Sequence, residues 1–508
     1  MTMTDPLIVE TTGGAVKGER GNGVYIWRGI PYASTPEGGL RFRKPERVKR
    51  WEGVRDAADF GPMCAQTRSM KGRAAVSSKS EDCQTLNIWS PEAGAEAGAG
   101  KRPVLFYIHG GSFAEGAGSD PEYEGTNLAL AGDIVVVTVN YRLAVFGFMD
   151  FSFFGEEFTR NCGLFDILEA LRWVNENIEA FGGDAGNVTV CGQSAGATCA
   201  CILPLFEDAK EYMKRIIMMS GVPVLLHKTE EAQKIARRFL EFMDIADADA
   251  LLNTPEQVIG ARQKEFCRVN GLGAATYAPC VDGESISKYP ISLALEGKTG
   301  GVPALIGTTR DEMSIVLFKR LSKILDVTDM RRMGVQSETD EAKRRISKAY
   351  EKYGKRSPAV MMSDLVFHMP CIWYAEARND TADTWMYSFD YETFGMRVSG
   401  LRAFHSSDIP FLFGNFRAGL SRYMMALSPY KKGIREVYHE LRGDFLTFMK
   451  TGELPWEKCE GGNTPAKRYA RTSFTGHAIS PEVKRVYEGS EYKRRSIEGD
   501  SITSLPGD

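Results

Sequence analysis

The chain has 508 residues, and its 63 basic and 66 acidic residues leave a formal net charge of -3. This balance excludes nucleic-acid or membrane-surface binding that is driven by charge. A composition of 43% hydrophobic and 25% charged residues is that of an ordinary globular protein, and no uncharged apolar run reaches the roughly 18 residues that a membrane span requires.

Apolar runs alternate with helical segments along most of the chain. The glycine-spaced stretch 16–31 predicts antiparallel hairpins. Buried strands are predicted at 104–108, 134–141, 188–191, 216–219, 303–307 and 384–389. Helices are predicted at 165–180, 210–215 and 434–450. The alternation predicts an α/β fold with a mostly parallel central sheet, helices on both faces and an N-terminal antiparallel extension. We expect one decorated domain over residues 1–508, with a polar, flexible tail at 491–508.

The strand at 104–108 runs into His109, Gly110 and Gly111. Backbone N–H groups converge on an oxygen atom only where no Cβ blocks the approach, and adjacent glycines meet that condition. Lipases and esterases use such a loop, together with the N–H of the residue after the nucleophile, to hold an oxyanion. The sequence therefore predicts an oxyanion hole made of Gly110, Gly111 and Ala195.

The strand at 188–191 leads directly into Gly192-Gln193-Ser194-Ala195-Gly196, and a helix of small residues follows. A G-x-S-x-G sequence between a strand and a helix predicts a sharp turn that raises the serine hydroxyl above the sheet. A serine hydroxyl attacks a carbonyl only with a base in reach and a third group that orients the base. Ser194 is therefore the predicted nucleophile.

An orienting acid is expected after the nucleophile, in a loop at the end of a sheet strand. The strand at 303–307 is followed by Thr308-Thr309-Arg310-Asp311-Glu312. Either Asp311 or Glu312 could orient a histidine, and the spacing does not distinguish between them.

Four histidines follow the predicted acid, and any of them could be the base. His368 and His439 lie in helical patterns, and His477 lies among polar residues near the C-terminus. His405 lies in a short polar stretch before the apolar run 409–413, where a loop can carry a side chain to the top of a sheet. We therefore predict that His405 is the base.

Several longer stretches resemble the type-B carboxylesterase/lipase family of the α/β-hydrolase fold, including the bacterial para-nitrobenzyl esterases. They lie at 27–33 (WRGIPYA), 80–88 (SEDCQTLNI), 109–113 (HGGSF), 140–143 (NYRL), 161–166 (NCGLFD), 181–184 (FGGD), 192–196 (GQSAG) and 219–221 (MSG). The matches keep the family's order and extend over nearly the whole chain.

The resemblance implies the same nucleophile and base, and it favours Glu312 as the acid. It also implies that Ser220 supports the triad by hydrogen bonding, and that Cys64 and Cys83 match a pair that closes a disulfide in secreted members. Gln193 departs from the glutamate that the family more often has beside the nucleophile. We expect this change to alter the local electrostatics without a loss of activity.

The predicted function is that of a serine carboxylesterase, which hydrolyses uncharged, fairly hydrophobic carboxylic esters through an acyl-enzyme on Ser194. The side chains predicted near the mouth of the substrate pocket are Phe113, Phe318, Phe411 and Phe413. A thioesterase, an amidase or an acyltransferase could use the same triad, because a fold does not fix its substrate. The alternative from another class is a non-catalytic adhesion or scaffold protein.

Acyl transfer by a triad requires no metal and no organic cofactor, so we expect none. The expected partner is a small ester, without nucleic acid or membrane, and the protein is expected to be a monomer or a small homo-oligomer. Residues 1–10 lack the basic start and apolar segment of a signal peptide. Ten cysteines in a chain of this length do not indicate a disulfide framework, so we expect a cytoplasmic protein.

Overall fold

A large mixed sheet organises the chain in the computed structural model. The structure describes residues 5–36, 38–67, 78–92, 101–317, 338–419, 422, 425 and 432–498. Within these residues the sheet has 11 strands, a second sheet has three, and two further strand pairs lie outside both.

Most strands are short and buried, as their apolar sequences predict. In chain order they are β1 (Ile8–Thr11), β2 (Gly14–Lys17), β3 (Glu19–Gly21), β4 (Val24–Pro31), β5 (Val54–Asp56), β6 (Met63–Cys64), β7 (Lys79–Ser80), β8 (Thr85–Pro91), β9 (Arg102–Ile108), β10 (Val135–Val139), β11 (Gly183–Gln193), β12 (Arg215–Met219), β13 (His227–Lys228), β14 (Cys280–Val281), β15 (Ala304–Thr309), β16 (Thr384–Phe389), β17 (Pro465–Tyr469) and β18 (Phe474–His477).

Helices connect the strands. They are α1 (Thr126–Gly132), α2 (Ala144–Phe148), α3 (Cys162–Asn177), α4 (Ala195–Ile202), α5 (Ala209–Tyr212), α6 (Thr229–Met243), α7 (Ala248–Asn253), α8 (Glu256–Asn270), α9 (Pro290–Leu295), α10 (Asp340–Tyr350), α11 (Ser357–Ser363), α12 (Met369–Arg378), α13 (Phe394–Ser399), α14 (Ile409–Phe413), α15 (Lys432–Thr451), α16 (Pro481–Tyr487) and α17 (Glu491–Glu498). A π-helical turn, Asp364–His368, lies between α11 and α12.

The strand order of the large sheet is β18-β17-β16-β15-β12-β11-β9-β10-β8-β4-β3. The strands from β17 to β10 in this order run parallel to one another. The pairs at the two edges are antiparallel: β18 with β17, β10 with β8, β8 with β4, and β4 with β3. The predicted α/β architecture, with its parallel centre and N-terminal antiparallel extension, is therefore confirmed.

Successive side chains of the central strands enter two separate apolar layers. Phe106 and Ile108 of β9 pack in one layer, whereas Leu105 and Tyr107 of the same strand pack in the other. Because side chains alternate along a strand, a strand covered on both faces is apolar at nearly every position. This explains why the central strands appear in the sequence as unbroken apolar runs.

The C-terminal segment differs in part from the polar tail predicted at 491–508. Residues 491–498 form α17, in which the ring of Tyr492 lies 5.5 Å from that of Trp373 and its hydroxyl donates to the Leu365 carbonyl at 2.6 Å. One buried aromatic ring thus docks a segment that is otherwise polar. The rest of the predicted tail, 499–508, lies outside the described residues. Among the helices in the described ranges, none combines the length and apolar character that a bilayer span requires.

Candidate active site

The predicted catalytic residues follow neighbouring parallel strands of the large sheet. Gly110 follows β9, Ser194 follows β11, Ser220 follows β12 and Glu312 follows β15. His405 comes after β16, beyond α13. Since the carboxyl ends of parallel strands meet at one edge of a sheet, this topology brings the five residues to the same side.

Ser194 occupies a strained turn between β11 and α4. Its backbone has φ 57° and ψ -123°, and its N–H donates to the Met219 carbonyl at the end of β12. A Cβ on Gly196 would lie 2.1 Å from the carbonyl oxygen of Ile108, and one on Gly192 would lie 2.1 Å from that of Gly196. Both glycines are therefore required by close backbone approaches, and the predicted elbow is the geometry observed.

His405 and Glu312 are joined by a direct hydrogen bond. Nδ1 of His405 lies 2.6 Å from Oε2 of Glu312, and the backbone N–H of His405 donates to the Glu312 carbonyl at 3.3 Å. Because the carboxylate binds Nδ1, Nε2 of the imidazole is left free to accept a proton.

The other oxygen of the Glu312 carboxylate accepts two hydrogen bonds from neighbouring strand ends. The Ser220 hydroxyl donates to Oε1 at 2.6 Å, and the Thr309 N–H donates to the same atom at 2.7 Å. Burial raises the pKa of the Glu312 carboxyl, but the nearby imidazole and the hydrogen bonds from His405 and Ser220 outweigh it, so this pKa lies below its usual value. Glu312 is therefore held as an anion although it is fully buried.

Asp311 faces away from the imidazole. Its Oδ2 accepts from Nε of Arg310 at 2.7 Å, and its Oδ1 accepts from Arg356. The two carboxylates that spacing could not distinguish thus have different partners, because Asp311 pairs with arginines and Glu312 pairs with the histidine.

The side chain of Gln193 contacts Nε2 of His405, the nitrogen that must accept the proton of Ser194. Nε2 of His405 lies 3.2 Å from the side-chain nitrogen of Gln193. Since that amide nitrogen only donates, the imidazole accepts at Nε2 and carries its proton on Nδ1, which is the tautomer a base requires. Within the described part of the chain, no hydrogen bond links the Ser194 hydroxyl to His405. Catalytic hydrogen bonds of this kind are often loose before substrate binds.

Three backbone N–H groups are available beside the nucleophile. In the described ranges no acceptor bonds to the N–H of Gly110, Gly111 or Ala195. Ala195 is the first residue of α4, where a helix leaves its N–H unpaired. A Cβ on Gly110 would lie 3.0 Å from Cβ of Ser194, so the glycine loop runs directly beside the elbow. This arrangement suits an oxyanion hole.

Replacement of Gly110 by alanine is expected to lower kcat by about 100-fold while the protein stays folded. The added Cβ would lie 2.6 Å from the carbonyl oxygen of Gln193, so either the loop or the elbow must shift and the N–H donors lose their alignment. Steady-state hydrolysis of an aryl ester measures the effect. Gly443→Ala in α15 is the control, since its Cβ would meet no atom within 4 Å. Equal kcat values for the two variants would contradict the assignment.

The aromatic residues predicted to line the pocket lie inside the protein. Phe113 has no exposed surface, and its ring is 5.0 Å from that of Phe148. Phe411 and Phe413 are also fully buried, and they pack 4.9 Å from Phe389 and Tyr107, respectively. These three are core residues here: Phe113 packs in the apolar layer that contains Phe106, and α14 turns Phe411 and Phe413 into the opposite layer. Phe318 lies outside the described residues.

Cys64 and Cys83 are buried free thiols in this structure. The Cys64 sulfur accepts from the N–H of Leu143 at 3.2 Å, and a hydrogen bond with Cys64 raises the pKa of the Cys83 thiol. The two sulfurs are neighbours, and the disulfide stays a prediction.

Phe367 is a contact of the imidazole that sequence patterns did not reveal. Its ring centroid lies 4.8 Å from that of His405, at an interplanar angle of 40°. The stretch around it reads as an ordinary apolar helix, but it forms a π-helical turn that widens the helix next to the site. A local widening of this kind leaves no periodic signal in the sequence.

Ionisable groups in the described ranges form no cluster of three or more that could hold a metal ion. The site itself offers a hydroxyl on a strained turn, an imidazole oriented by a buried carboxylate, and unpaired backbone N–H groups.

The chain matches the carboxylesterase family over residues 5–475. The para-nitrobenzyl esterase of Bacillus subtilis (strain 168) is 36% identical over 467 residues, which cover 90% of this chain and 92% of that protein. The phenmedipham hydrolase of Pseudarthrobacter oxydans is 30% identical over 463 residues, with 88% and 90% covered.

Solved structures agree with these sequence matches. A para-nitrobenzyl esterase structure superposes with a TM-score of 0.82 at 32% identity, over 95% of this chain and 100% of that one. The carboxylesterase of Geobacillus stearothermophilus at pH 6.2 gives a TM-score of 0.82 at 34% identity, again over 95% and 100%. The predicted α/β-hydrolase fold is confirmed.

Proposed function

The chain belongs to the carboxylesterase family and is a carboxylic ester hydrolase, and we propose that it cleaves uncharged, fairly hydrophobic esters through an acyl-enzyme on Ser194. The observation that carries this proposal is the imidazole of His405, bonded to Glu312 at 2.6 Å on one side and facing the elbow residue Gln193 on the other. A base oriented in this way beside a raised serine is the arrangement that nucleophilic acyl transfer requires.

In the first step, Nε2 of His405 takes the proton of the Ser194 hydroxyl as the oxygen attacks the ester carbonyl. The charge that develops on the carbonyl oxygen is held by the N–H groups of Gly110, Gly111 and Ala195. Glu312 stabilises the imidazolium through Nδ1. The alcohol then leaves with the proton from Nε2, and the acyl group remains on the serine.

In the second step, water replaces the alcohol as the attacking group. His405 removes a proton from the water, the same N–H groups hold the second oxyanion, and the acid is released as the Ser194 hydroxyl regains its proton. Before each attack the imidazole exchanges its contact with the Gln193 amide for one with the attacking oxygen.

The preference for uncharged esters follows from the side chains that touch the base. Gln193 is neutral where the family more often has glutamate, and only 1% of it is exposed. Phe367 covers the imidazole with an apolar ring. Glu312 is fully buried, and its charge is matched by the groups that bond to it. The described residues that touch His405 therefore offer a cationic substrate no free anion.

A panel of aryl esters tests the proposal. We expect p-nitrophenyl acetate, butyrate and hexanoate to be hydrolysed. Butyrylcholine should have a kcat/KM at least about tenfold lower than 3,3-dimethylbutyl butyrate, which has the same acyl group and a neutral alcohol of the same shape. Equal kcat/KM values for butyrylcholine and 3,3-dimethylbutyl butyrate would contradict the preference for uncharged esters. No turnover of any aryl ester would contradict the esterase assignment itself.

We also propose a cytoplasmic location. All ten cysteines are free thiols in this structure, nine of them buried. Reduced thiols persist in a compartment that glutathione and thioredoxin keep reducing.

A further inference from the structure

A second histidine–carboxylate pair, His368 with Asp364, lies behind the catalytic acid in the π-helical turn Asp364–His368. Nδ1 of His368 is 2.6 Å from Oδ1 of Asp364, and Nε2 is 2.8 Å from the carbonyl oxygen of Thr309. A backbone carbonyl only accepts, and so does an ionised carboxylate. Both hydrogen bonds can therefore exist together only when each ring nitrogen carries a proton, so His368 is an imidazolium in this geometry.

The surroundings of the pair supply donors that favour its charged form. The Tyr350 hydroxyl donates to Oδ2 of Asp364 at 2.7 Å, and it lies 2.8 Å from the hydroxyl of Tyr487. Burial raises the pKa of both phenols well above the usual value, so they stay protonated in mildly alkaline solution. Asp364, from the same turn, and Glu312, from the loop after β15, are the carboxylates that act on His368.

The pair is connected to Glu312 through one residue. Thr309 accepts from His368 at its carbonyl oxygen and donates from its N–H to Oε1 of Glu312 at 2.7 Å. His368 therefore fixes Thr309, the last residue of β15, and Thr309 in turn fixes the Glu312 carboxylate. The residue before His368 is Phe367, which packs on the ring of His405. The same π-helical turn thus contacts Thr309, which holds Glu312, and the ring of His405.

We propose that protonated His368 is a positioning residue for Glu312, and that kcat falls on the alkaline side when His368 loses its proton. The inference rests on the proposed function, since it assigns a role through the catalytic carboxylate. Without its second proton the imidazole can no longer donate to both Asp364 and Thr309, so the Thr309 segment loses a fixed anchor.

The pH of the transition follows from the same contacts. Burial lowers the pKa of His368, but the hydrogen bond and charge of Asp364, together with Glu312, outweigh it and raise this pKa to about 8. His368 is a cation below that pH and neutral above it. In neutral solution it therefore anchors Thr309 and, through Thr309, Glu312, and in alkaline solution this anchor is lost.

The test is the pH profile of kcat for p-nitrophenyl butyrate, with the unaltered enzyme and His368→Gln compared. Glutamine can donate to the Thr309 carbonyl but does not titrate. In the unaltered enzyme we expect kcat to fall about fivefold through a transition near pH 8, a change of about 1 kcal/mol in the barrier. Because glutamine can keep the donor to Thr309 at every pH, the kcat of His368→Gln should stay level through this range, and KM should not change.

Two further variants sharpen the result. Asp364→Asn removes the carboxylate that raises the pKa of His368, so it should move the alkaline transition to lower pH. His439→Gln changes an exposed histidine of α15 and should keep the profile of the unaltered enzyme.

An unaltered enzyme whose kcat stays level through this range would overturn the inference without any variant. A transition that His368→Gln leaves in place would overturn it as well. Failure of the proposed function has a different signature, namely hydrolysis that persists in Ser194→Ala. An inactive Ser194→Ala together with an unmoved alkaline transition would reject only the role of His368.

Discussion

Replacement of Ser194 by alanine is expected to lower kcat for aryl esters by about 10^4-fold or more, since the remaining groups can only bind and polarise the ester. The variant loses the single oxygen that forms the acyl-enzyme. The backbone of the elbow is held by its neighbours, through the Ser194 N–H bond to Met219 and the close approaches of Gly192 and Gly196. We therefore expect the circular dichroism spectrum and the melting temperature to change little.

A fluorophosphonate probe measures the same residue directly. The phosphorus should bond to the Ser194 oxygen in the unaltered protein with loss of fluoride, and the mass of the peptide that contains Ser194 should increase accordingly. Ser473→Ala is a matched control, because this serine is remote from the site and its hydroxyl bonds to Glu440. Labelling of another residue, or equal labelling in Ser194→Ala, would show that the nucleophile is elsewhere.

The pattern of strands and motifs was sufficient to predict the centre of the fold. Runs such as 104–108 and 384–389 are apolar on both faces because the sheet is covered on both sides, so their extent was readable from the sequence. The start of β11 was not readable, because Gly183 joins the strand by pairing with Arg102 across a change in register. Register depends on the partner strand, which a local pattern does not contain.

In the candidate site, too, some features follow from the local sequence and others depend on distant contacts. Strand ends predicted the positions of Ser194 and of the two acidic candidates, but not which carboxylate faces the imidazole. That choice depends on Arg356, which comes from a distant part of the chain and binds Asp311. The sequence predicts Phe411 and Phe413 of α14 near the mouth of the pocket, but it does not show which way their rings face. Whether a short helix turns its rings inward or outward is set by the layer beneath it, and here that layer is the core.

His368 could not be recognised from its sequence context, because its role depends on contacts and not on a motif. An apolar helical stretch with one histidine is usually a packed helix. Only the π-helical turn brings Asp364 and His368 together on a side that faces Thr309. The donors from Tyr350 and Tyr487 come from two further helices. Such a network is assembled by tertiary structure, and no single segment carries its signal.

Replacement of Glu312 by glutamine is expected to lower kcat by about 10^4-fold, because it reverses the hydrogen bond to the imidazole. A glutamine can keep an oxygen toward Ser220 and the Thr309 N–H, which places its amide nitrogen toward Nδ1 of His405. That nitrogen donates, so Nδ1 must accept and the ring proton moves to Nε2. The base then has no lone pair for the serine proton, although the fold and KM are retained.

Asp311→Asn is the matched substitution in the adjacent residue. It weakens the ion pairs with Arg310 and Arg356, in which the Asp311 carboxylate is buried and the guanidinium groups are partly exposed, and neither pair involves the imidazole. We expect kcat to stay within about tenfold of the unaltered enzyme, with some loss of thermal stability. Parallel kinetics of the two variants separate the candidates, since only the carboxylate that orients the imidazole can change its tautomer. A larger loss of kcat in Asp311→Asn would reverse the assignment of the acid, and with it the connection from His368 through Thr309 to the triad.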